Sequence, residues 1–153
     1  MKKILLILLT AFFLIQFFPI DKTNPVSNAG MDFLKIKDTP EPIAKIIRNS
    51  CYDCHSNETR YPFYSHIQPA AWLMKSQIDE GRIALNFSTF STYDTQRQLK
   101  KLGEAADYTE QGDMPLESYL LGHPDAKLTD VQRKILADYF RKMQKAIADY
   151  QAL

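Results

Sequence analysis

The chain has 153 residues, 45% of them apolar and 24% charged, which leaves room for one modest domain and excludes both a disordered chain and, beyond the N-terminus, a membrane-embedded one. Nineteen basic side chains stand against 18 acidic ones, and setting Lys2 and Lys3 aside leaves a net charge of −1, which argues against a nucleic-acid partner. The two cysteines, Cys51 and Cys54, are separated by two residues, so no disulfide framework staples the fold.

Lys2-Lys3 and the apolar stretch Ile4 to Ile20, interrupted by Thr10, Gln16 and Pro19, form a charged n-region and a hydrophobic segment of the kind that drives export. Small residues do not follow it directly. Phe17-Phe18-Pro19 comes next, and Ser27 and Ala29 lie well downstream, which favours an uncleaved anchor over a cleaved signal for residues 1–20. The stretch is slightly short of the ~20 residues that span a bilayer. The positive-inside rule keeps Lys2 and Lys3 in the cytoplasm and sends everything after Asp21 across the membrane. Residues 21–38, with Pro25, Ser27, Asn28 and Gly30, read as a linker, and 39–153 as the domain.

Few stretches alternate with period two, so the domain is expected to be all-α, with about four helices. Thr39 and Pro40 open the first, whose Ile43, Ile46 and Ile47 lead into Ser50-Cys51. A second is predicted from about Gln68 to Glu80, with Gly81 as its left-handed C-terminal cap. A third is expected from about Tyr93 to Ala106, capped by Thr92 or Asp94, with Leu99 and Leu102 inward. In the last, Thr129 and Gln132 make a capping box, and Val131, Ile135, Tyr139, Met143, Ile147 and Tyr150 form an apolar stripe expected to pack on the first helix. Gly112-Asp113-Met114-Pro115-Leu116 punctuates a loop before it.

Cys51-Tyr52-Asp53-Cys54-His55 is the pattern of c-type haem attachment. Two thiols at this spacing reach the two vinyl groups on one haem edge, and the adjacent histidine lies under the iron. A thioredoxin-like dithiol needs a cysteine at a helix N-terminus within a βαβ unit, and Cys51 instead follows a helix. A four-ligand zinc site would need a further histidine and leaves the adjacency unexplained. The opposite face of the iron has a short roster of ligands: His66, His123, Met74, Met114 and Met143. Met74 and Met143 lie on apolar helix stripes, where packing is the default role. His66 sits close behind the attachment segment, and His123 lies between Gly122 and Pro124. Met114, in a loop stiffened by Pro115, is the favoured distal ligand, with His123 the main alternative. Tyr61, Tyr64 and Trp72 are candidate pocket residues, and a carbonyl near Pro62 or Pro69 is expected to orient His55.

Beyond the pentapeptide, Ser56-Asn57-Glu58-Thr59-Arg60-Tyr61-Pro62, Gln68-Pro69-Ala70-Ala71-Trp72, Met114-Pro115-Leu116 and His123-Pro124 carry a resemblance. Residues 39–143 resemble the haem-binding domain family of bacterial monohaem c-type cytochromes. The resemblance implies a cytochrome c-like all-α fold around one covalent haem c, first and last helices crossing, with Met114 as distal ligand. It makes the sequons at Asn57 and Asn86 incidental and places the domain on the periplasmic side of the cytoplasmic membrane. The expected function is one-electron transfer with redox partners of the cell envelope, not catalysis. The alternative is a haem sensor or peroxidase-like domain with a labile distal site.

Overall fold

The computed structural model describes residues 1–151, and no strand occurs among them. In chain order the helices are α1 (Lys2–Ile15), α2 (Phe33–Ile36), α3 (Glu41–Ser50), α4 (Tyr52–His55), α5 (Ala70–Ala84), α6 (Thr95–Gln111), α7 (Glu117–Leu120) and α8 (Asp130–Gln151). Short 3-10 segments at Phe63–His66, Phe87–Thr92 and Pro124–Ala126 link them.

Helix α1 buries none of its side chains. Its 14 residues extend about 21 Å at 1.5 Å per residue, against a hydrocarbon thickness of ~30 Å. No helix among the described residues is long and apolar enough to cross a membrane. The helix stops short of Ile20 because Phe18 precedes a proline, a position that disfavours the helical region, and because Gln16 turns to the domain. Its side chain donates to the Gln68 carbonyl (3.1 Å) and accepts from the Gln68 N–H (2.9 Å), and Trp72 Nε1 donates to the Phe18 carbonyl at 3.0 Å.

The segment expected to be a linker is fastened to the domain and partly inside it. Asn24 donates to the Thr59 carbonyl, Asn57 to the Val26 carbonyl, both at 2.9 Å, and Ser27 to Glu58. Phe33 is 0% exposed and packs against Phe87, Phe90, Tyr139 and Phe140. Burying that ring contributes ~2–3 kcal/mol, so the core begins upstream of Thr39. A single Phe-Leu pair between Asp32 and Lys35 carries no period to betray it.

Asp94 caps α6 by accepting from the Arg97 N–H at 2.8 Å, and α6 runs past Ala106 to Gly112, whose φ of 85° is the left-handed C-terminal cap. Thr129 and Gln132 form the capping box of α8 in both directions. The α8 face that is buried is Leu136, Ala137, Tyr139 and Phe140, while Val131, Ile135 and Tyr150 are exposed and Met143 and Ile147 half-buried. Its principal partner is α6, not the first domain helix, α3, which it touches over a short stretch. Small α6 residues explain the choice: Ala106 lies in the contact, and Gly103 admits Gln144, which donates to the Leu99 carbonyl at 2.7 Å.

At the outer edge of this helix pair Arg141 donates to Asp107 and Glu110. Its guanidinium holds the Glu110 carboxyl below the ordinary carboxylate value, so the bond stabilises the fold above that ordinary value and is lost as pH falls through the lowered one. Arg141→Gln is expected to melt slightly below wild type at neutral pH, with the two melting temperatures converging in acid; a gap independent of pH would contradict the pairing.

Candidate functional site

Helix α3 ends where Cys51 leaves helical geometry at φ −126°, and the one-turn α4 restarts on it, with His55 N–H donating to the Cys51 carbonyl at 2.9 Å. This tight turn sets both cysteines and His55 against one side of α5. The contact is possible because Gly81 has no side chain: a Cβ there would lie 2.6 Å from the Cys54 carbonyl oxygen. The glycine expected to cap α5 is thus buried inside it, and the helix continues to Ala84 because the residue serves close approach and not a left-handed turn.

The extension delivers the partner of His55. Its Nδ1 donates to the Leu85 carbonyl at 3.0 Å, in place of a carbonyl near Pro62 or Pro69. With Nδ1 engaged, Nε2 is the nitrogen left for a metal, and burial lowers the imidazole pKa, favouring the neutral, ligating form.

Two adjoining cavities of about 310 and 110 Å³ open beside this turn. Cys51, His55 and Met114 line both, and Cys54 lines the larger. The walls are mainly apolar, from Ala84, Leu85, Phe87, Ala105, Pro115 and Phe140. Enclosure by protein pushes the Cys51 thiol up to about 12 and the Cys54 thiol up to about 11, the reverse of an activated dithiol. Among the described residues no group of three or more His, Cys, Asp or Glu could hold a metal ion by itself.

Of the five distal candidates, only Met114 lines these cavities. Met74 is buried on α5, and Met143 is half-buried and packs against the core. His66 pairs with Lys22 at 2.7 Å. His123 stacks on Tyr119 with ring centroids 4.1 Å apart, behind the cavity wall, and bonds Tyr64 at 3.2 Å. The candidate pocket aromatics are elsewhere too: Trp72 is 40% exposed at the end of α1, Tyr64 rests on Gly122 and His123, and Tyr61 lines a neighbouring surface hollow with His123. Asn57 and Asn86, the two sequon asparagines, are buried, and Asn86 donates to the Asn57 side-chain carbonyl at 2.8 Å.

Sequence reasoning missed Asp53, Arg60 and Tyr119. Asp53, between the cysteines, is 5% exposed and accepts from Arg60 N, Nε and Nη2 at 3.0–3.1 Å and from the Tyr119 hydroxyl at 2.8 Å. Only its position inside the motif could have signalled it.

Two cysteines, an oriented imidazole and a methionine around one apolar-walled cavity fit a haem, and define a helical haem-binding protein. The chain belongs to the haem-binding domain family, whose profile matches residues 10–142. Compared with curated proteins and with solved structures, it has no match.

Proposed function

We propose that the chain is a monohaem c-type cytochrome, a one-electron carrier held at the periplasmic side of the cytoplasmic membrane by its N-terminal apolar segment. The observation that carries this reading is that Cys51, Cys54, His55 and Met114 share one cavity. Cys51 and Cys54 would hold the haem edge through thioethers, His55 Nε2 would bind the iron, and the Met114 thioether would take the opposite position. The iron supplies a reversible ferric–ferrous couple, and a thioether opposite histidine favours the ferrous state.

The protein's own contribution is to fix and to enclose. The Leu85 carbonyl holds the imidazole in one tautomer and strengthens it as a donor. Phe87, Phe140, Leu85 and Pro115 give the cavity an apolar wall. Support for a carrier over a sensor or peroxidase comes from Met114, which lines the cavity with His55 and on this reading would fill the position an incoming ligand needs, and from His66 and His123, which do not line it. Support for the tether is the exposed apolar surface of α1, from Ile4 to Leu14. Partners would be redox proteins of the same membrane.

Expression with haem maturation tests the reading. The haem is expected to co-purify covalently with the membrane fraction and to show the weak long-wavelength charge-transfer band of Met-ligated ferric iron. Met114→Ala should abolish that band and lower the reduction potential by on the order of 0.1 V, a fraction of the ~0.8 V over which axial ligands tune haem. Rapid carbon monoxide binding by the native ferrous protein would favour the sensor reading instead.

A further inference from the structure

The loop that carries Met114 has few fastenings. Gly112 turns it out of α6, and the Met114 N–H donates to the Tyr108 carbonyl at 3.2 Å. After Pro115 it enters α7, a single turn with no side-chain cap, in which Tyr119 is the one buried side chain. Ser118 receives a bond from Gln77 at an exposed position, and His123 meets Tyr64 farther on. The remaining link is Tyr119 to Asp53 at 2.8 Å, buried at both ends.

That link joins the two halves of the site. Asp53 belongs to the turn that carries Cys51, Cys54 and His55, and its other lone pairs are taken by the backbone N–H and guanidinium of Arg60, so the carboxylate cannot follow the tyrosine if the loop moves. Tyr119 lines the same cavity as Met114, Leu116 and Cys54, and its N–H donates to the Leu116 carbonyl at 3.0 Å. A shift of the loop away from the cavity therefore breaks a charge-assisted bond between two buried side chains.

We infer that Tyr119 is a positioning residue: its hydroxyl, latched to Asp53, holds the Met114 loop closed over the cavity and sets how easily an outside ligand displaces the methionine. This rests on the reading of Met114 as distal ligand. An exogenous axial ligand binds only when the loop is open, so its apparent affinity scales with the open population.

The test uses the full chain with its haem attached and imidazole as the probe of the ferric protein. Tyr119→Phe should keep covalent haem and bind imidazole about ten-fold more tightly or more, the change expected for losing one hydrogen bond to a buried charge. Asp53→Asn, which preserves volume and one oxygen, should shift affinity in the same direction by less, and serves if the phenylalanine variant folds poorly. Wild-type imidazole affinity in both variants overturns the latch, even if their melting temperatures fall, because that combination marks a merely structural bond. If Met114→Ala also leaves imidazole affinity unchanged, the distal assignment has failed as well as the latch.

Discussion

Replacing Cys51 and Cys54 together by alanine is expected to abolish haem that survives denaturation: the wild-type polypeptide should carry the mass of one haem and stain for it on a denaturing gel, and the double variant should do neither. Each single variant keeps one thiol on the cavity wall and should retain partial attachment. The thiols are half-buried at the cavity, so their truncation alone costs little packing. The larger loss is indirect. A ligand present at a hundred times its dissociation constant adds about 2.7 kcal/mol to the folded state, and a haem that can dissociate through an open edge no longer guarantees that occupancy. Haem mass retained by the double variant would remove the basis for a c-type assignment and leave a haem-binding domain that holds its cofactor by ligation alone.

Gly81→Ala should also be severe, for a reason independent of the cofactor. In an ordinary helix interior alanine is better than glycine by about 1 kcal/mol. Here the added methyl would sit 2.6 Å from the Cys54 carbonyl oxygen and 3.1 Å from its Cβ, and the first of these is backbone, which cannot swing aside. Overpacking of this kind costs ~1–3 kcal/mol, and displacement of the α4 turn also strains the His55–Leu85 bond that follows from the same contact. The clash is expected to win, with a net loss of roughly 2 kcal/mol. The melting temperature of the haem-free chain and the yield of haem-loaded protein should both drop. A variant as stable as wild type would mean that α5 and the α4 turn do not press together as described.

The parts of the site legible in the sequence are those whose chemistry is local. Cys51 to His55 needs only its own spacing to be recognised, and the Met114 loop is marked by Gly112 and Pro115 on either side. The Thr129–Gln132 box opens α8 for the same reason. What depends on partners distant in the chain left no such trace. Gly81 has two uses for a missing side chain, a left-handed cap or a close approach, and only the position of Cys54 decides between them. The orienting carbonyl of His55 could be placed only after α5 was known to reach Ala84. Asp53 and Tyr119 are 66 residues apart, and neither belongs to a periodic pattern. Val131 and Ile135 misled because the α8 stripe was drawn from hydrophobicity alone, whereas α6 presents its small residues to a neighbouring face.

The bonds that fasten Asn24, Val26 and Ser27 to residues 57–59 set the mechanical character of the molecule. Ten free residues between Asp21 and Gly30 would form a leash with a reach of about 33 Å at full extension, and a redox centre on a leash can turn any side to a passing protein. Stapled along its length and pinned at Gln16 and Trp72, that segment makes a rigid bracket instead. On the proposed reading of a carrier tethered through its N-terminal segment, the cavity mouth would then face one fixed bearing at one fixed height, and productive encounters would be selected by the partner's approach and not by the domain's search.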